Sequence, residues 1–312
     1  MTPDLSTDLG FLKLRNPILA ASGTFGYGLE FTQFMSLAAV GGIVVKGLYY
    51  GPREGNPPPR LVETAGGLIN AIGLQGVGVE AFAADVLPKL RAAEATVIAN
   101  VCGADDDEYV RVIEFLDRQE GLAAYELNIS CPNVRRNGLC PALRPETTRD
   151  LVARCKAASR RPIIAKLSPN VTDIAEIAAA AEAGGADAVS LINTLLSLAI
   201  DARTRRPRLA NVLGGLSGPA VKPIALRMVY QAAAAVRIPV IGLGGITSGE
   251  DAAEFLIAGA RAVEVGTANF VDPTATVRIA RELSEFCARE GIARSADLVG
   301  TLGKGGHGTL AR

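Results

Sequence analysis

The chain has 312 residues, with Lys plus Arg equal to Asp plus Glu at 32 each and 49% hydrophobic residues. That length suits one large core, because a single α/β barrel commonly takes it, so one domain over residues 1–312 is expected. The balance of charge removes the broad positive field of a nucleic-acid binder and points to a small-molecule substrate or a protein partner.

The first thirty residues hold Asp4, Asp8 and Glu30 and no long apolar run. Neither a signal peptide nor a membrane span is expected there, so the chain reads as soluble and cytoplasmic. Five cysteines, at 102, 131, 140, 155 and 287, form no CxxC pair. A scattered odd set argues against disulfides and against a metal cluster on this chain, so any iron–sulfur centre would sit on another one.

In chain order, residues 5–15 suggest a small hairpin, and short β-rich runs then alternate with Ala-rich stretches of helical length. The strand candidates are 17–21, 42–46, 97–100, 124–128, 162–166, 188–192, 239–243 and 262–266. Helix candidates lie near 30–38, 78–93, 106–119, 146–159, 172–184, 220–236, 248–259 and 274–290. Eight strand–helix units close most naturally into a (β/α)8 TIM barrel, which carries its chemistry on the loops after the strands. Three connections, 47–77, 129–145 and 193–219, are long and rich in Gly, Pro and Asn, and all follow strands. They therefore belong on the catalytic face as lids or binding loops.

Polar residues stand at the strand ends. Lys46, Asn100, Asn128, Lys166 and Asn193 each follow an apolar run. Two lysines and three amides over an apolar core describe a pocket for a planar, polar, partly anionic molecule. Any one of these asparagines has ordinary explanations, but the set is hard to assign to packing, because barrel interiors are normally filled by branched aliphatics. Gly242 to Ser248 follows the seventh strand, and Gly266-Thr267-Ala268 follows the eighth. Glycines let backbone N–H groups approach an anion, a helix N-terminus adds positive potential, and these two loops are the usual phosphate site of such a barrel.

A flavin mononucleotide satisfies both signals, with its phosphate at loops seven and eight and its ring over the barrel mouth. A lysine such as Lys166 near the flavin N1–C2=O edge would stabilise the charge that develops on reduction. A nicotinamide cofactor fits less well, since no GxGxxG opens a helix after an early strand. Cys131 sits between Ser130 and Pro132 in a strand-end loop, where a thiol whose pKa is lowered by nearby lysines can serve as a general base. Cys102, Cys155 and Cys287 read instead as small buried hydrophobes. The lone histidine, His307, lies in a Gly-rich tail and leaves Cys–His nucleophilic catalysis without a partner. Asn70, flanked by glycines in the second loop, can present an amide to a carboxylate or imide, although an ordinary glycine-rich loop explains it as well.

Together, Asn128-Ile-Ser-Cys-Pro-Asn133, Lys46-Gly47, Gly55-Asn-Pro-Pro-Pro-Arg60 and Asn70-Ala-Ile-Gly-Leu-Gln75 resemble dihydroorotate dehydrogenase. Ile192-Asn-Thr194, Gly214-Gly-Leu-Ser-Gly-Pro219 and Gly242 to Gly245 extend the resemblance over nearly the whole chain. It implies an FMN-containing barrel that oxidises dihydroorotate to orotate in pyrimidine biosynthesis. Cys131 in the base position resembles the soluble class 1 enzymes. Ser22 to Gly28 and Arg60 to Gln75 look most like class 1B, the catalytic chain of the NAD-dependent form. That form implies an electron-transfer subunit with FAD and a [2Fe–2S] cluster, around a homodimeric core within a heterotetramer.

By this resemblance Lys46, Asn70, Asn128, Asn133, Asn193 and Thr194 hold orotate, with backbone from Gly73 and Leu74. Ser22, Gly23, Asn100, Lys166, Ile192, Gly218, Gly244, Gly245, Gly266 and Thr267 hold FMN, which Lys46 and Asn128 also contact. Cys131 would take the proton from carbon 5 while carbon 6 passes hydride to flavin N5, and no metal is implied. Gly76-Val77 and Ser197-Leu198 depart from the usual Asn-Pro and Gly-Met. A fumarate-dependent class 1A enzyme, a transfer-RNA dihydrouridine synthase and a catalytically silent phosphate-binding barrel are the alternatives.

Overall fold

The structure is a computed structural model that describes residues 2–130 and 140–303. Eight parallel strands close into a barrel in chain order. They are β1 (Ile18–Ala20), β2 (Gly42–Val44), β3 (Val97–Val101), β4 (Leu122–Leu127), β5 (Ile163–Lys166), β6 (Ala188–Leu191), β7 (Val240–Leu243) and β8 (Ala262–Val265). The (β/α)8 expectation holds, and each expected strand lies within a residue or two of the one observed.

Strand alternation builds the interior in layers. Leu19, Val44, Ile98, Ala124, Ile164, Ala188, Ile241 and Ala262 form a buried apolar layer, one residue from each strand. The antiparallel pair Thr7–Asp8 and Lys13–Leu14, the expected hairpin, brings Leu9 and Leu14 against this layer. Each large aliphatic so buried contributes about 1.5–3 kcal/mol. Two residues further along every strand stand Ala21, Lys46, Asn100, Glu126, Lys166, Ser190, Leu243 and Glu264. The barrel therefore changes from dry to polar within one pleat.

The outer helices include α1 (Leu87–Ala92), α2 (Asp106–Leu116), α3 (Pro145–Ala158), α4 (Ile174–Ala183), α5 (Lys222–Ala235), α6 (Gly249–Ile257) and α7 (Ala275–Arg289). In α2, Asp105 caps the first turn by accepting from Glu108 N at 2.8 Å, and Tyr109, Val112, Ile113 and Leu116 make the buried face. Their 3–4 residue spacing is that of an amphipathic helix.

One expectation needs correction and another is extended. The helix expected near 30–38 is two 3₁₀ turns, Leu29–Phe31 and Leu37–Ala39. Ser36 between them is extended, and the Thr32 hydroxyl donates to the Leu29 carbonyl, so local polar bonding breaks the run. The connections 47–77 and 193–219 are not plain loops. They share a four-stranded antiparallel sheet in the order Leu195–Leu198, Leu213–Ser217, Gly67–Asn70 and Leu61–Thr64.

Candidate active site

Above the polar layer, under that four-stranded sheet, lies a cavity of about 600 Å³. This is within the usual range for a small-molecule site. Ser22, Gly23, Lys46, Asn70, Gly73, Leu74, Asn100, Asn128 and Lys166 all line it. So do Ile192, Asn193, Thr194, Gly218, Gly244, Gly245, Gly266 and Thr267. Cys131 and Asn133, with His307, lie outside the described residues.

The segment leading to Cys131 is held on both sides. Tyr109 donates its hydroxyl to the Asn128 carbonyl at 2.7 Å, and the Cys140 thiol donates to the Ile129 carbonyl at 2.9 Å. Asn193 Nδ2 donates to Ser130 Oγ at 2.7 Å, tying the residue before Cys131 to the end of β6. Cys102, Cys155 and Cys287 are buried, as small hydrophobes should be, and burial pushes the Cys155 thiol up to about 12. Such a thiol is inert at neutral pH.

Lys166 differs from the free cation that its strand-end position suggests. Its ammonium lies 3.1 Å from Glu126 Oε1 and 3.2 Å from Glu264 Oε2, all three side chains being buried. Asn100 Nδ2 donates to Glu126 Oε1 at 2.7 Å, and Ser190 Oγ donates to Glu126 Oε2 at 2.8 Å. Burial alone would draw Lys166 down, but Glu126 and Glu264 outweigh it and hold the ammonium above its ordinary value. Burial would push Glu126 up, yet Lys166 and the surrounding donors bring it below the usual carboxylate range. Glu264 stands well above that range, pushed there by burial and then by the charge of Glu126. In the same layer, burial and then the Arg60 guanidinium draw Lys46 down, with Glu30 opposing.

Glu126 and Glu264 were not among the residues expected from sequence. The signal was present, since both are in phase with Lys46, Asn100 and Lys166 on their strands. Arg60, Gln75, Asn170 and Asn211 also line the cavity and were not singled out. Arg60 Nη2 donates to Gln75 Oε1 at 2.7 Å, closing the second loop across its base.

The glycine-rich ends converge as expected, but the helix after loop seven does not offer its N-terminus. Asp251 Oδ2 already accepts from Thr247 N at 2.8 Å and Ser248 N at 3.0 Å, and Gly249 N donates to Glu282 Oε2 at 2.9 Å. An anion is left to the backbone of Gly218, Gly244 and Gly245, which have φ of +98°, +129° and +77°, together with Gly266 and Thr267.

A parallel (β/α)8 barrel with a roofed polar cavity at the ends of its strands is the architecture of a barrel enzyme acting on a small polar molecule. The family model for dihydroorotate dehydrogenase matches residues 4–287, and the chain belongs to that family. A Solibacter usitatus protein, provisionally named dihydroorotate dehydrogenase A (fumarate), is 59% identical over 97% of this chain and 99% of its own length. A Trichlorobacter lovleyi protein named dihydroorotate dehydrogenase B (NAD(+)), catalytic subunit, is 54% identical over the same shares. The crystal structure of Eimeria tenella DHODH in complex with ferulenol shares the fold. Its TM-score is 0.80 at 22% identity, over 96% of this chain and 88% of that one. Among the described residues, no helix is long and apolar enough to cross a membrane.

Proposed function

We propose that this chain oxidises dihydroorotate to orotate, with FMN held across the barrel mouth and Cys131 as the general base. The observation that carries the reading is the roofed cavity lined by Lys46, Asn128, Asn193 and Lys166 together with the glycine-rich ends. The residues fit a flavin. Asn128 Oδ1 is buried with no hydrogen-bond partner among the described residues, which leaves an acceptor for a ligand N–H. A Cβ at Gly23 would meet nothing within 4 Å, and one at Gly266 nothing closer than 3.7 Å, so both glycines open space into the cavity.

Ser22, Gly23, Asn100, Lys166, Ile192, Gly218, Gly244, Gly245, Gly266 and Thr267 would hold the cofactor. Bound FMN supplies the two-electron acceptor for the hydride leaving carbon 6. Lys46, Asn70, Asn128, Asn133, Asn193 and Thr194, with backbone from Gly73 and Leu74, would orient the substrate through its carboxylate and ring amides. The Cys131 thiolate would take the carbon 5 proton. The roof formed by Leu61–Thr64, Gly67–Asn70, Leu195–Leu198 and Leu213–Ser217 would exclude water.

For the acceptor we favour NAD, reached through a partner subunit bearing FAD and a [2Fe–2S] cluster, around a homodimer of this chain in the cytoplasm. The relatives named as NAD-dependent catalytic subunits, at 54% and 51% identity, support NAD as the acceptor and a partner subunit. The name of the Solibacter usitatus relative favours fumarate as a second reading. Purified chain should carry FMN and form orotate from dihydroorotate with an artificial acceptor. If fumarate alone sustains turnover without a partner subunit, the second reading replaces the first.

A further inference from the structure

The layer that floors the cavity holds two glutamates that the proposed chemistry does not use. Glu126 on β4 and Glu264 on β8 are 0% and 1% exposed, and both carboxylates converge on one buried ammonium. Lys166 reaches both, at 3.1 and 3.2 Å.

Donors are shared unequally between them. Glu126 accepts from Lys166 and Asn100 on Oε1 and from Ser190 on Oε2. Glu264 accepts from Lys166 on Oε2, while its Oε1 finds no donor among the described residues. Two anions beside one cation would leave excess negative charge closed off from water, which is strongly disfavoured. One proton on Glu264 cures both defects at once. It cancels the excess charge and leaves Oε1 an uncharged atom in place of an anionic oxygen without a donor.

We propose that Glu126 and Glu264 hold one proton between them, carried on Glu264, and that the pair positions Lys166 at the cavity floor as a charge-neutral unit. Glu126 is the counter-anion of the ammonium, and Glu264 is the neutral acid. Neither is a catalytic residue, since both act through Lys166. The other ionisable group in the same layer is Lys46, on the end of β2. The consequence for a bound flavin, which rests on the function proposed above, is that at Lys166 it faces a compensated charge instead of an unopposed cation.

The protonation is tested without any cofactor. Infrared spectra of the purified chain at neutral pH should show a protonated carboxyl band that moves on labelling with 13C-glutamate and is lost in Glu264→Gln. In Glu126→Gln the band should also vanish, because Glu264 then ionises as the sole partner of Lys166. Absence of the band from the wild-type chain overturns the proposal, and this measurement needs no variant to fold.

In the flavin-loaded chain, redox titration should place Glu264→Gln within twofold of wild type in the ratio of reduced to oxidised flavin affinity. Removing both carboxyls, in Glu126→Gln/Glu264→Gln, should favour reduced flavin at least tenfold, about 30 mV for a two-electron couple. A tenfold shift in Glu264→Gln alone would show that both glutamates are ionised and would also overturn the proposal. A chain that binds no flavin but keeps the infrared band defeats the flavin reading and leaves the shared proton standing.

Discussion

Asn70 and Gly215 face each other in register on neighbouring strands, and Asn70 Nδ2 donates to the Gly215 carbonyl at 3.3 Å. One residue belongs to the connection after β2 and the other to the connection after β6. Their pairing makes two distant loops a single roof, so a change on either side is felt over the whole cavity.

Asn70→Ala removes that side-chain bond and a polar group from the cavity wall. A hydrogen bond of this kind contributes about 1 kcal/mol. The expected result is a rise in KM for dihydroorotate of up to about tenfold, with flavin content unchanged. Steady-state kinetics on flavin-loaded protein measure both.

Gly218→Ala strikes the joint between roof and barrel. Gly218 has φ +98°, and an added Cβ would lie 2.7 Å from Gly67 Cα. Strain of this kind costs about 1–3 kcal/mol, and here the obstacle is backbone that cannot rotate away. The variant should lose most of its flavin on gel filtration while its far-UV circular dichroism stays close to wild type.

Lys166→Met leaves the Glu126 and Glu264 carboxyls without their cation. Breaking a buried pair in this way costs about 3–5 kcal/mol. With Lys166 gone, Glu126 shifts upward too, and a carboxyl whose folded value is raised loses stability as pH climbs through that value. The deficit in urea unfolding should therefore shrink as pH falls.

Asp251 gives the opposite sign. Burial pushes it up, but Lys222 and the Thr247 donors outweigh burial and leave it below its ordinary 3.8. Its contribution is present above that value and lost as pH falls through the lower folded one. Asp251→Ala should lower stability by about 1 kcal/mol near neutral pH, as loss of a helix cap does, and the difference should close in acid. Thermal unfolding across the acid range checks the sign.

Much of this site could be read from sequence because a barrel strand has a period of two and ends in a polar residue. Lys46, Asn100 and Lys166 were legible on that rule alone. Glu126 and Glu264 obey the same rule but sit inside apolar runs, Tyr125-Glu126-Leu127 and Val263-Glu264-Val265, where a charge reads as an interruption. The compensation of Lys166 was therefore missed. The roof was missed because its partners, such as Leu68 and Ser217, are far apart in sequence and its strands are rich in glycine, which carries little β signal. The occupied N-terminus of α6 depended on Asp251 folding back on Thr247 and Ser248, and a Ser followed by Asp at the third position was a cap signal that the phosphate reading passed over.

On the function proposed above, this chain's own cavity takes electrons from dihydroorotate with Cys131 as base. Anaerobic rapid mixing of flavin-loaded chain with dihydroorotate tests it directly. The prediction is rapid bleaching of the flavin in the wild-type protein, slowed by roughly two orders of magnitude or more in Cys131→Ala. No bleaching in the wild type, or bleaching at the wild-type rate in the variant, would contradict it.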